Sequence, residues 1–283
     1  MALSLTVINR YPVKSCRGEG VRSATVEPWG LAGDRRWMLV DDDGMVITAR
    51  EHPRLLLVEP RLRDGGGLAF TSPDAPDLAV EPPGPDSLVP VRVWHSGLVA
   101  AAASAQAHAW FSKIIGTPAR LVHLDDPTRR RPNPRFADVT DYVSFADGYP
   151  LLLTSVASLD ALNDLVAIGP GADEGPLAMT RFRPNVVVGG AVAWAEDGWR
   201  RIRVGDAVFR AVKGCDRCVM TMIDPKTAQK TKEPIATLAK YRRWDGETWF
   251  GMNLIPDTPG VEIAVGDEIE ILESVPAPDG PPR

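Results

Sequence analysis

The stretch VKGCDRCVMTMIDP, residues 212–225, holds two of the chain's three cysteines at the spacing Cys215-x-x-Cys218. That spacing suits a redox dithiol, half of a zinc site, or a single thiolate with another task. The residues after Cys218 bear on the fold. A thioredoxin-type dithiol opens a helix whose N-terminus lowers the thiolate pKa, whereas VMTMID is β-prone and runs into a turn at Asp224-Pro225. The stretch thus predicts a strand starting at Cys218 in a β-rich protein. A structural zinc needs four ligands, and the remaining thiol, Cys16, lies roughly two hundred residues away. One thiolate beside Arg217, with Lys213 near, fits best as a ligand to a soft or high-valent metal carried by an organic cofactor. Such a cofactor needs anchors of its own, and a phosphate on it calls for Lys, Arg and backbone N–H groups elsewhere.

The rest of the chain sets the frame. Its 283 residues, 44% of them hydrophobic, can fill a sizeable core. No apolar run reaches the roughly 18–20 residues of a membrane-spanning helix, and MALSLTVINRYPVKS lacks a basic region followed by a long apolar stretch. A soluble protein is expected, without membrane partner or secretion. Three cysteines are too few for a disulfide framework, which favours a reducing cytoplasm. The net charge of −5 is spread in mixed-sign clusters, which argues against nucleic acid and for a small-molecule partner.

Residues 1–122 read as short strands closed by a helix. LSLTVINRYPVKS alternates up to Pro12, RRWMLVDDDGMVITAR is a hairpin turning at Asp43-Gly44, and VPVRVWHSGLVAA is a strand pair about Ser96-Gly97. ASAQAHAWFSKII, residues 103–115, has helical spacing with Gly116 at the C-cap and Pro118 beyond. DDPTRRRPNPRF, residues 125–136, with three prolines and four arginines, is a connection whose arginines read as a solvated face or an anion-holding loop. In residues 123–275, YPLLLTS is a buried strand and SLDALNDLVAIG a helix capped by Ser158. RPNVVVGG, IRVGDAVFRAV and CVMTMID are strands, KEPIATLAKYRRW is a helix with Pro234 early, and GVEIAVGDEIEIL is a hairpin turning at Gly266-Asp267. Residues 276–283 read as a disordered tail. No regular strand–helix alternation appears, so the expected class is β-rich α+β with a barrel-like first half and a few peripheral helices.

Absent motifs narrow the chemistry. The sequence has no G-x-G-x-x-G after a strand, no Walker loop and no G-x-S-x-G elbow. Its four histidines, His52, His95, His108 and His123, lack ligand spacing and read as structural.

The blocks YPVKSC (11–16), GDRRWMLV (33–40), ITAREHPRL (47–55), FADGYPLLL (145–153), RFRPNVVV (181–188), GCDRCVMTMIDP (214–225) and FGMNLI (250–255) resemble the successive motifs of two-part MOSC proteins. These are of the YcbX and amidoxime-reducing-component type, an N-terminal β-barrel domain followed by a MOSC domain. The resemblance implies a molybdenum cofactor, not pyridoxal phosphate, with Cys218 as the protein's metal ligand and Cys215 as its neighbour. A thiolate suits a metal that cycles between oxidation states. It further implies that Lys14, Ser15 and Arg35 hold phosphate and pterin, and that Arg183 and Asn185 do likewise. Asp147, Gly148 and Tyr149 would line the metal pocket, chiefly through backbone; Asp216 and Arg217 would flank the thiolate, and Asn253 would contribute. Asp147 is the expected proton donor. The implied activity is cytoplasmic reduction of N-hydroxylated compounds such as hydroxylaminopurines, hydroxylamines and amidoximes. Because no cysteine comes after Cys218, electrons are expected from a separate flavin or iron–sulfur protein. The alternative is a molybdenum-cofactor or sulfur carrier without turnover.

Overall fold

The computed structural model describes residues 2–277 and 279–283, and its body is made of strands flanked by three α-helices: α1 (Ala105–Ile115), α2 (Val156–Ala167) and α3 (Ile235–Tyr241). None of the described helices is long and apolar enough to cross a membrane. The largest sheet runs Glu19–Val21, Ser4–Arg10, Val186–Gly189, Leu151–Ser155, Glu247–Pro256, Ala207–Asp216, Trp199–Val204, Ile269–Ser274, with Arg243–Trp244 paired to one side. Only Leu151–Ser155 and Val186–Gly189 run parallel among its neighbours, joined through α2, which packs on both. Burial on two faces explains why LLLTS is an unbroken buried run, whereas the half-covered Trp199–Val204 alternates. Leu5, Ile8, Leu153, Val188, Phe209 and Leu254 fill the core under this sheet.

A second core sits under a five-stranded sheet ordered Leu88–Val93, Ser96–Ala102, Arg120–His123, Trp37–Val40, Val46–Ile47 and a three-stranded sheet over residues 59–80. Trp37, Leu39, Phe70, Trp110, Phe111 and Leu121 pack there. Helix α1 has the caps its sequence calls for: Ser104 Oγ accepts from the Ala107 N–H, and Gly116, at φ 78°, donates to the Ser112 carbonyl.

Several expected elements differ. The pair about residue 96 turns at Trp94-His95, because Val93 pairs with Ser96 and Ser96-Gly97 already belong to the strand. Ser158 does not cap α2; Ser155 precedes its first turn, while the buried Ser158 hydroxyl donates to Glu196 and accepts from the Trp194 N–H. Residues 218–224 are not a strand: Val219–Met222 form a single 3-10 turn, with the Thr221 N–H and hydroxyl both returned to the Cys218 carbonyl. The chain does reverse at Gly266-Asp267, yet no hairpin forms. Glu262–Ala264 pairs with Ser23–Glu27 and Ile269–Ser274 with Trp199–Val204, so that Ile263 and Ile269 enter one core from different sheets. The segment read as a disordered tail is held in its described part: the Gly214 N–H donates to the Pro282 carbonyl and Arg283 pairs with Asp245. Ser4–Arg10 and Glu19–Val21, from the first half of the chain, lie in the sheet otherwise built from residues 151–274.

Candidate active site

A cavity of about 430 Å³ gathers every residue that the sequence singled out, Lys14, Ser15, Arg35, Asp147, Gly148, Tyr149, Arg183, Asn185, Asp216, Arg217, Cys218 and Asn253, together with Cys215. Lys14 and Ser15 follow the strand Ser4–Arg10 after Pro12, Arg35 precedes Trp37–Val40, and Arg183 and Asn185 precede Val186–Gly189. Ser15 (φ 69°), Arg35 (45°), Arg183 (55°) and Trp94 (54°), all in the cavity wall, occupy the left-handed region that side-chain-bearing residues avoid. Such strain, of order 1–3 kcal/mol each, persists where surrounding contacts over-determine the backbone, and it concentrates at working sites.

Tyr11 organises the cationic wall. Its ring lies 4.4 Å from the Arg35 guanidinium and 4.3 Å from that of Arg183. Burial pushes its phenol up to about 12 against the pull of both arginines, so it remains neutral. Arg35 is further held by Asp34 at 2.7 Å and by Asn185 Oδ1 at 2.9 Å, while Arg183 donates to the Cys16 carbonyl at 2.7 Å. Asn185 also accepts from the Leu152 N–H and donates to the Asn9 carbonyl. Its amide therefore aims Arg35 more than it reaches into the cavity. Asn253 is similarly engaged, donating to the Gly214 carbonyl at 3.0 Å.

The expectation that Asp147 supplies a proton does not fit its surroundings. Desolvation by the cavity wall pushes its carboxyl up, weakly for a side chain 63% exposed, and Lys14 and Arg50 hold it well below the usual carboxylate range. Lys14 Nζ donates directly to Asp147 Oδ1, and Arg50 Nη2 lies 3.5 Å from Oδ2. The proton sits instead on Lys14, whose ammonium is lowered by burial to about 8 against the opposing attraction of Asp147. Lys14 also donates to the Phe145 carbonyl at 2.8 Å. A group of that pKa is charged at neutral pH and still able to give up its proton.

The two cysteines differ in their company. Cys218 Sγ accepts from Arg50 Nε and Nη2, both at 3.4 Å. Arg217, expected beside that sulfur, instead donates to Cys215 Sγ at 2.7 Å and to the Phe182 carbonyl. Lys213 pairs with Asp216 at 2.8 Å, offsetting the charge that Asp216 brings to the loop. Enclosure raises the Cys215 thiol, opposed by Arg217. Cys16 is fully buried, which pushes its thiol up to about 12 and leaves it inert. All three cysteines are free.

Two features escaped the sequence reading. Arg50 lies inside the block ITAREHPRL but was not singled out. Arg130, in the connection read as solvated or anion-holding, is 5% exposed and donates to the carbonyls of Ser144, Ala146 and Asp147. It braces the loop that presents Asp147. Burial lowers its guanidinium to about 10, opposed by Asp147.

The lining suits an anion. Seven cationic side chains, Lys14, Arg35, Arg50, Arg181, Arg183, Lys213 and Arg217, face two carboxylates, Asp147 and Asp216, in a protein of net charge −5. Arg217 Nε, in the cavity wall, is a buried donor without a partner among the described residues. A Cβ placed at Gly148 would meet nothing within 4 Å, so the backbone there is open to close approach. No cluster of metal-binding side chains occurs among the described residues, so a metal here needs a carrier with ligands of its own beside the Cys218 thiol. The donor set therefore fits a phosphate-bearing organic cofactor with a thiophilic metal: cations and N–H groups for the anion, one sulfur for the metal.

Fold and cavity together define a β-rich protein of two joined parts with a cationic, thiol-bearing cleft between them. Residues 2–118 match the family model of the MOSC N-terminal beta barrel domain, and residues 140–270 match that of the MOSC domain. The chain belongs to the MOSC family, in the form that carries the N-terminal barrel. It is 33% identical over 284 residues to mitochondrial amidoxime-reducing component 1 of Homo sapiens, covering 93% of this chain and 81% of that protein. The human mitochondrial amidoxime reducing component 2 is 32% identical over 246 residues, 83% of this chain and 71% of its own. The molybdenum cofactor sulfurase of Oryza sativa is 34% identical over 262 residues, which are 86% of this chain but 31% of that longer protein.

Proposed function

We propose that the protein is a molybdenum-cofactor-dependent reductase of N-hydroxylated compounds, working in the cytoplasm with electrons from a separate flavin or iron–sulfur protein. The observation that carries this reading is the cavity in which Cys218 stands beside cations drawn from both halves of the chain. The names of the amidoxime-reducing relatives support the substrate class. When bound, the cofactor supplies the two-electron chemistry that removes oxygen from nitrogen. Reducing R–NHOH to R–NH2 takes two electrons and two protons and releases water, the N–O bond being the one broken.

This chain's residues bind, orient and supply protons. Arg35 and Arg183, fixed on Tyr11, hold phosphate and pterin, with Lys14 and Ser15 beside them. Cys218 supplies the metal ligand. Asp147 stays a carboxylate and orients Lys14 Nζ, which holds a transferable proton at the cavity wall. Molybdenum analysis of protein made in a cofactor-competent host tests the reading. Cys218→Ser loses the metal and Cys215→Ser retains it; equal loss in both would refute the single-ligand assignment.

The sulfurase relative favours a second reading, a molybdenum-cofactor or sulfur carrier without turnover. Reduction of a hydroxylamine or amidoxime with reduced viologen as donor separates the two. A carrier shows bound molybdenum or cyanide-releasable sulfur and no turnover.

A further inference from the structure

Resting on the proposed function, we propose that Arg50 is the positioning residue for the Cys218 sulfur, by which the N-terminal half of the chain tunes a ligand belonging to the C-terminal half. Both Nε and Nη2 point at one sulfur, at 3.4 Å each, an ordinary length for an N–H bond to an atom of that size. Three further contacts fix the plane of the fork. The guanidinium carbon lies 4.4 Å over the Trp94 ring, Nη2 is 3.5 Å from Asp147 Oδ2, and the backbone beneath is pinned by a tight turn. In that turn the Arg50 N–H donates to Thr48 Oγ1 at 3.2 Å, the Thr48 hydroxyl donates to Glu51 at 2.9 Å, and the His52 N–H returns to the Thr48 carbonyl. Trp94 in turn holds a left-handed backbone at φ 54°, a conformation tryptophan avoids, in the two-residue turn that brings its ring over Arg50.

These contacts suit arginine and exclude lysine as an equivalent. A planar fork can stack on an indole and direct two parallel N–H groups at one acceptor, whereas an ammonium offers a point charge with no face. Hydrogen bonds to a metal-bound thiolate draw electron density away from the metal and make it easier to reduce. Arg50 thereby acts on the metal through the sulfur, without touching substrate. The same guanidinium reaches Asp147, which is paired with Lys14, so the sulfur and the proton-holding ammonium share one rigid network.

The test uses holoprotein: wild type, Arg50→Met, Arg50→Lys and Trp94→Leu, each checked for folding by circular dichroism. Molybdenum and pterin content, the paramagnetic resonance signal of the one-electron-reduced metal and its midpoint potential are measured. Arg50→Met is expected to retain the metal and to show a lower midpoint potential with altered signal parameters. Arg50→Lys follows Arg50→Met, and Trp94→Leu shifts the same way by less. A wild-type potential and signal in Arg50→Met would overturn the proposal. So would full rescue of the potential by lysine, since that would show that charge alone suffices. Should Arg50→Met fail to fold, Trp94→Leu decides: an unchanged potential overturns the proposal and a lowered one supports it. Wild-type protein without molybdenum would sink the proposed function itself, whereas loaded variants that match wild type sink only this inference.

Discussion

Replacing Lys14 by methionine is expected to stabilise the cofactor-free protein at neutral pH while damaging its cofactor site. The ammonium is 6% exposed, and burial lowers its pKa from 10.5 to about 8 despite the attraction of Asp147. That gap corresponds to about 3 kcal/mol at 1.36 kcal/mol per pKa unit. Proton counting gives the sign. Between pH 8 and 10.5 the unfolded chain holds the Lys14 proton and the folded chain does not, so stability rises with pH across that window. At pH 7 the full cost is present. Methionine matches the stem of lysine and removes the charge, but leaves the Phe145 carbonyl without its donor at 2.8 Å, a loss of about 1–2 kcal/mol. The Asp147 carboxylate is 63% exposed, so losing its partner adds little. The net gain is about 1–2 kcal/mol, or a rise in Tm of about 2–5 °C for a chain of this size. Urea denaturation of metal-free wild type and Lys14→Met at pH 7 and pH 10 measures it, with the difference shrinking or reversing at pH 10. A variant that is less stable by more than about 1 kcal/mol at pH 7 would refute the reasoning, because the Lys14–Asp147 pair would then be a net stabiliser.

Two further predictions concern groups outside the cavity. Burial raises the Glu196 carboxyl from 4.5 to about 7, opposed by the Ser158 hydroxyl, and its Oε1 has no partner among the described residues. Between those values the folded chain keeps a proton that the unfolded chain has lost, so wild-type stability falls by about 3 kcal/mol as pH rises through the window. Glu196→Gln should flatten that fall, with denaturation midpoints equal to wild type near pH 4 and higher near pH 8; an unchanged slope would assign the effect to another group. Asp197 and Arg242 form a buried pair in which Arg242 Nη2 donates to both carboxylate oxygens, at 2.7 and 2.9 Å, with the guanidinium 4.2 Å from the Trp194 ring. Asp197→Ala strands that charge and should cost about 3–5 kcal/mol, read as a drop in the urea midpoint, whereas Asp197→Leu combined with Arg242→Met should recover most of it.

The sequence exposed the site better than the topology. Lys14, Arg35, Arg183 and Cys218 stand in short blocks that resemble MOSC motifs, so the resemblance named each of them, and the fold brings all four to one cavity. Pairing partners are not local. Nothing in GVEIAVGDEIEIL says that its two strands join different sheets, because the decision rests on which edges the rest of the chain leaves open. Ser4–Arg10 likewise reads as a strand of the N-terminal half and pairs there with Glu19–Val21, but nothing in it shows that its other edge pairs with Val186–Gly189, far along the chain. VMTMID followed β propensity and was overruled by the Thr221 hydroxyl bonding back to Cys218. Arg130 was hidden for a related reason: a proline- and arginine-rich loop looks solvated until the carbonyls it must satisfy are in place.

That placement of the first strand also explains how so many cations can face one cleft. Seven basic side chains against two acids is a repulsive arrangement when no anion is present, and two of the seven, Lys14 and Arg183, have pKa values lowered by burial, as does Arg130 behind the wall. Neither half of the chain carries the whole set: Lys14, Arg35 and Arg50 come from one and Arg181, Arg183, Lys213 and Arg217 from the other. What forces them together is the apolar core under the large sheet, where Leu5 and Ile8 from the start of the chain pack with Val188, Phe209 and Leu254. At about 25 cal/mol per Å² of apolar surface removed from water, such a core can outweigh a few kcal/mol of charge repulsion. Stability drawn from strand exchange between the halves is thus what holds the cavity open and positive, and an anionic occupant that neutralised those charges would stabilise the folded chain in return.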